Sequence, residues 1–144
     1  MVGYISPYLI AIGVAWIVAH IIKYAIATLQ GKRLDLTHQL FISGGMPSSH
    51  AATTVAVWKL VLLKEGADSS LFGLATLVTL IICYDAVKVR RSVGEQGRAI
   101  QEVIKATGAE VKLPRAAKGH TPMEVIAGSF LGVIIGLVVF IATQ

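Results

Sequence analysis

Four apolar runs, at residues 4–29, 48–63, 71–87 and 122–142, limit what this chain of 144 residues can fold into. A bilayer core has no water to satisfy exposed backbone groups, and a helix satisfies its own. At about 1.5 Å per residue the first run is long enough to cross a hydrocarbon core of about 30 Å. Hydrophobic residues make up 55% of the chain and charged residues only 15%, and the charges are clustered between the runs. The expectation is one domain over residues 1–144, an all-α integral membrane helical bundle. It has about four transmembrane helices and a short interfacial amphipathic helix. A net charge of +5 with only 7% aromatic residues, all in or near apolar segments, leaves no stacking surface for nucleic acid. The basic surplus suits an anionic lipid surface. Cys83 stands alone inside an apolar run, so no disulfide framework exists and burial as a packing residue is expected.

The first run carries His20 and Lys23. No basic region precedes it, and it is too long for a cleaved signal peptide. Lys23 either snorkels to the interface or places a cation in a polar pocket. The second run is short for a bilayer and ends at Lys64, so its polar first turn must be tucked within protein. Residues 65–70, Glu-Gly-Ala-Asp-Ser-Ser, form a tight acidic turn. Asp85 interrupts the third run near its end, where a carboxylate needs a partner; Lys88, Arg90 and Arg91 are the candidates. Between Lys88 and Thr121 the chain is polar and basic. There Val93, Ile100, Val103, Ile104 and Thr107 fall at helical spacing, which predicts a short amphipathic helix on the bilayer surface, ended by Gly108. The fourth run opens with Pro122 and carries Gly128, Gly132 and Gly136 four apart on one face, a pattern for close helix contact.

Four spans put loops 31–50 and 88–121 on one side and the 65–70 turn with both termini on the other. Ten lysines and arginines lie in the first pair of loops, so the positive-inside rule places those loops in the cytoplasm. Lys23, His50, Asp85, Arg90, Arg91, His120 and Glu124 all fall on that face.

Two motifs there carry chemistry. Gly44-Gly45-Met46-Pro47-Ser48-Ser49-His50 combines backbone freedom with a helix start: Pro47 fixes φ, Ser48 caps the first amides, and His50 lies one turn inside. The free amides of a helix N-terminus form an anion site. Gly119-His120-Thr121-Pro122-Met123-Glu124-Val125 places a carboxylate four residues from an imidazole across a second helix start. A carboxylate on Nδ1 fixes the tautomer and frees Nε2 as nucleophile or base; the plain alternative is a polar helix cap. Two histidines with cations between them suggest phosphoryl transfer without metal. A divalent ion on His50, Asp85, His120 and Glu124 is the rival, although neither H-x-x-E-H nor H-E-x-x-H is present. No G-x-S-x-G turn surrounds Ser48 or Ser49 to make either a nucleophile. His20 and His38 match no motif and read as structural.

Residues 44–50 and 119–125, with Tyr-Asp-Ala and Val-Arg-Arg within 84–91 and Gly-Glu-Gln at 94–96, resemble the divergent branch of the type 2 phosphatidic acid phosphatase family. The resemblance extends over nearly the whole chain. The wider superfamily, which includes vanadium haloperoxidases, carries K-x6-R-P, P-S-G-H and S-R-x5-H-x3-D motifs. Pro47-Ser48-Ser49-His50 matches the second with serine for glycine, and His120-x3-Glu124 matches the end of the third with glutamate for aspartate. The resemblance implies that His120 is a nucleophile forming a phosphohistidine, Glu124 its orienting partner and His50 the general acid. It also implies a phosphate site of Lys23, Ser48 and Ser49. This chain departs from the motifs in its arginines. No Arg-Pro follows Lys23 at the family spacing, although Arg33 is downstream, and Arg115 is one residue too close to His120. Arg90 and Arg91 are the expected substitutes, oriented by Asp85. The implied activity is that of a metal-independent membrane lipid phosphatase with no cofactor. Its substrates are phosphatidylglycerophosphate or phosphatidate, with polyprenyl pyrophosphate as a further possibility. The alternative is a phospholipid-binding or scaffold protein that kept the fold. The superfamily core has more helices than four spans supply, so a shortened bundle or a homodimer that completes the core is expected.

Overall fold

A computed structural model of the protein describes residues 5–31, 45–113 and 119–144. Five helices account for most of these residues, and none of them is in a strand. They are α1 (Pro7–Leu29), α2 (Ser49–Glu65), α3 (Ser70–Tyr84), α4 (Arg90–Thr107) and α5 (Pro122–Ala142), with a π-helical turn at Asp85–Val89 joining α3 to α4.

Among the described residues, three helices are long and apolar enough to cross a membrane: α1, the 38-residue helix from Ser70 to Thr107, and α5. The run at 48–63, expected as a fourth span, becomes α2. It is 17 residues long and carries Thr53, Thr54, Lys59 and Lys64. It lies at the centre of the bundle, against α1, α3 and α5. Those neighbours partly bury Thr53, Thr54 and Lys59, while Lys64 at the end of the helix stays exposed. Thr54 and Thr79 hydrogen-bond through their hydroxyls at 3.2 Å, and the Trp58 indole N–H donates to Thr76 Oγ1 at 2.9 Å. These contacts tie α2 to α3 where water is scarce.

Small residues set the other contacts of α2. Gly128, Gly132 and Gly136 of α5 are buried, and each lies on the α2 backbone. A Cβ added at Gly132 would sit 2.5 Å from the Ala52 carbonyl oxygen, and one at Gly136 would sit 2.6 Å from that of Ala56 and 2.8 Å from Lys59 Cβ. The glycine pattern is thus the seam of the bundle. On α1, Ala11, Ala15 and Ala19 form a second small-residue stripe. Ala11 and Ala15 pack with Ala56, Leu60, Ile135 and Val139 in the main apolar core.

The short surface helix expected after the third run differs as well. No glycine or proline lies between Leu74 and Val93 to stop α3, so the helix continues for 18 residues as α4. Gly108, at φ +66°, ends α4 as expected. Cys83 is half-buried and packs against Ala51, Ala86 and Val125.

Hydrogen bonds at both ends keep the helices in register. At one end Tyr8 Oη donates to Glu65 Oε1 at 2.6 Å and Lys64 Nζ donates to the Thr143 carbonyl at 3.4 Å. At the other, the Ser48 N–H donates to the Glu124 carbonyl at 2.9 Å. Replacing Gly132 with Leu forces α5 off α2 and is expected to cost about 1–3 kcal/mol. Gly73, around which a Cβ meets nothing within 4 Å, accepts the same change with no measurable loss. Unfolding of the two variants in mixed detergent micelles measures the difference.

Candidate active site

Four chain segments end at the level of the Ser48–Glu124 hydrogen bond: the last turns of α1, the start of α2, the π turn after α3, and the start of α5. The helix start at α2 is built by Ser48, whose Oγ accepts the Ala51 N–H at 3.4 Å. A helix start leaves its first amides without intrahelical acceptors, and with Ala51 capped the donors that remain are Ser49 and His50. Ser48 and Ser49 are buried, while the His50 ring opens outward.

The start of α5 is a capping box. Thr121 Oγ1 accepts the Glu124 N–H at 3.3 Å, and Glu124 Oε2 accepts the Thr121 N–H at 3.1 Å. The same Glu124 oxygen accepts the Nδ1–H of His120 at 3.0 Å. The plain helix cap and the oriented imidazole are therefore one arrangement, made by a single carboxylate. With Nδ1 carrying the proton, Nε2 holds a lone pair. Among the described residues His120 Nε2 is a buried side-chain atom with no hydrogen-bond partner, and His120 is only 1% exposed. The His50 and His120 ring centroids are 6.1 Å apart, with planes at 65°.

Burial pushes the His120 pKa below its ordinary 6.5; the Glu124 hydrogen bond opposes this, and the charges of Lys23 and Arg90 add to it. The ring is therefore neutral at pH 7. Lys23 is 8% exposed and continues the Ala11–Ala15–Ala19 stripe by one more step of four, which turns it into the bundle. It does not snorkel. Gly45, at φ +88°, lies over the Lys23 stem: a Cβ there would meet its Cδ and Cγ at 3.5 Å. The Glu124 carboxylate acts electrostatically on the Lys23 ammonium.

Asp85 pairs with Arg90, whose Nε donates to Oδ2 at 2.7 Å. The Arg90 charge acts on both His50 and His120. Arg91 does not join the group expected of it. Its Nε donates to Glu95 Oε1 at 3.0 Å, and both side chains are exposed. One α-helical step rotates a side chain by about 100°, so neighbouring arginines cannot both face the pocket. Arg33 and Arg115 lie outside the described residues, as does His38. His20 is occupied elsewhere, stacked on Trp16 with ring centroids 4.2 Å apart. Among the described residues no three His, Cys, Asp or Glu side chains come together as a metal site.

The motifs alone do not reveal the π turn or the contact of Gly119 with Arg91. The π turn lengthens one step of the helix so that Asp85 and Arg90, five apart, stand one above the other; the Arg90 N–H bonds the Asp85 carbonyl. The carbonyl of the next residue, Ala86, accepts the His120 N–H at 3.1 Å. Gly119 lies flat on the first turn of α4. The π turn leaves no compositional mark. The four-residue spacing from Ala11 to Lys23 was a readable signal that Lys23 faces inward.

The fold and this cluster define a membrane-embedded helical bundle with a carboxylate-held histidine facing a second histidine at one end. The family model of the Divergent PAP2 family matches residues 5–135, and the chain belongs to that family. It is 34% identical over 139 residues to the uncharacterized membrane protein YuiD of Bacillus subtilis (strain 168), across 86% of this chain and 87% of that protein. No solved structure matches it. The resemblance carried by the two histidine motifs thus holds at the level of the family.

Because the Glu124 bond raises the His120 pKa against the effect of burial, Glu124→Gln is expected to lower it further. Titration of the His120 ring by NMR in micelles checks this: the wild type titrates below 6.5 and the variant lower still.

Proposed function

We propose that the protein is a metal-independent membrane lipid phosphatase that works through a phosphohistidine at His120. The observation that carries this reading is the buried, unpartnered Nε2 of His120, held by Glu124 and facing His50. A buried polar atom without a partner is costly in a structural role and is what an attacking nitrogen requires.

In the first step Nε2 attacks phosphorus while the bond to the head-group oxygen breaks, and protonated His50 gives its proton to that oxygen. In the second, water attacks the phosphorus and passes a proton to His50. The N–P bond breaks and inorganic phosphate leaves. Lys23, Arg90 and the amides of Ser49 and His50 neutralise the non-bridging oxygens. Asp85 orients Arg90, and Ser48 shapes the turn that presents the amides. Arg91 is left out of the clamp because Glu95 holds it.

Ten lysines and arginines in the loops on this side support an orientation with the site at the cytoplasmic face of the cell membrane. That favours a phosphomonoester lipid of the inner leaflet, phosphatidate or phosphatidylglycerophosphate, over a polyprenyl pyrophosphate. A second reading, a phospholipid-binding protein without turnover, draws on the same Arg91 pairing: of Arg90 and Arg91, only Arg90 is left for the clamp.

Phosphate release from mixed lipid phosphates in EDTA separates the readings. The enzyme releases phosphate in chelator and loses it in His120→Ala. Arg90→Gln lowers kcat about 100-fold, whereas Arg91→Gln stays within about threefold because its guanidinium lies outside the clamp. A wild type that binds phospholipid without turnover supports the second reading, and activity that depends on added metal overturns the mechanism.

His120 attacks only when neutral. Its pKa is lowered, so kcat/KM rises on the acid side through a value below 6.5, and it falls again as His50, whose pKa burial also lowers, loses the proton it must donate. An acid limb at or above 6.5 in the measured profile contradicts the assignment.

A further inference from the structure

The cation and the nucleophile of this site belong to different segments, yet both are anchored on the same five residues. On one side, the π turn Asp85–Val89 sets the Arg90 guanidinium on the Asp85 carboxylate, side chain to side chain at 2.7 Å and backbone N–H to carbonyl. On the other, the Ala86 carbonyl takes the His120 N–H at 3.1 Å. Ala86 is 1% exposed, in a small core with Ala51 of α2 and Val125 of α5. The turn therefore cannot shift without moving the starts of both helices. The contact is closed by Gly119: a Cβ there would fall 2.5 Å from Arg91 N, 2.6 Å from its Cα and 2.8 Å from its Cβ. Two of those atoms are backbone, so no rotamer change relieves the overlap.

We infer that the π turn and Gly119 together form the positioning element of the site, fixing His120 relative to Arg90 through backbone contacts. An α-helical turn wound from these same residues would close the step one residue sooner. It would rotate α4 by about 100°, carry Arg90 off Asp85 and take the Arg91 backbone away from Gly119. Asp85, Ala86 and Gly119 are positioning residues: they hold the groups that face the pocket and need not touch substrate themselves. π turns recur at functional sites in helices because they re-aim side chains at a chosen level.

The inference rests on the proposed chemistry for its kinetic readout, but its structural readout does not. The groups whose charge reaches the His120 ring are Glu124 of α5, Lys23 of α1 and Arg90 of α4, with His50 of α2 facing it. If Gly119 and the turn hold the ring in place, loosening them lets water reach it and moves its titration up toward 6.5.

The test compares Gly119→Ala, an insertion of one alanine between Val89 and Arg90, which turns α4 by about 100° against the π turn, and a deletion of Ala99, which changes the register of α4 only beyond its first turns. In Gly119→Ala and the alanine insertion the NMR titration of His120 is expected to move upward. Phosphate release should drop about 100-fold in kcat with KM within a few-fold. The Ala99 deletion leaves both at wild-type values. Wild-type titration in the first two variants, or an equal shift in the Ala99 deletion, overturns the inference. Loss of helical circular dichroism in both of the first two also overturns it, since the turn would then be a folding element. A wild type without turnover removes the proposed phosphatase reaction but leaves the titration to decide the positioning role.

Discussion

The backbones of α2 and α5 touch because Gly128, Gly132 and Gly136 remove the side chains that would hold them apart. In lipid the hydrophobic effect gives no force between apolar helices, and close van der Waals contact takes its place. That contact also fixes the axial position of one helix on the other. Ser48 and Glu124 meet at the end of the seam, the two helix starts come level, and His50 and His120 face each other as a result. The cluster is thus an end effect of a glycine seam that is about two turns long and contains no chemistry.

Much of this could be read from the residues. The apolar runs located the helices to within a few positions, the glycines at four-residue spacing marked the seam, and His120 with Glu124 marked an oriented imidazole. What escaped had no local signature. Residues 48–63 look like a membrane span, but α2 is flanked by three other helices, so its environment is protein and its threonines and Lys59 are tolerated. A π turn differs from an α turn by one hydrogen-bond register, and Asp85-Ala86-Val87-Lys88-Val89 suits either. Arg90 and Arg91 are equivalent as text; only the helix geometry turns one toward the histidines and the other toward Glu95.

The charges around the two rings are largely balanced before any ligand arrives. Asp85 holds Arg90, and Glu124 serves His120 while acting on Lys23. An incoming phosphate therefore competes with resident carboxylates for its cations. The orphan amides at the start of α2 are fixed dipoles that no carboxylate in the cluster has claimed, and they require no reorganisation when charge develops. On the phosphatase reading this gives the short Ser48–His50 segment a larger share of the binding than its lack of formal charge suggests.

The length of α2 has a consequence for where the reaction would take place. Seventeen residues rise about 25 Å, roughly 5 Å less than a hydrocarbon core. If the Glu65 end reaches one rim of that core, the Ser48 end stops short of the other, and the two histidines at that end are recessed beneath the glycerol level. A head group would then have to dip to reach it, leaving its hydration shell above and meeting fixed dipoles in a poorly polarisable well.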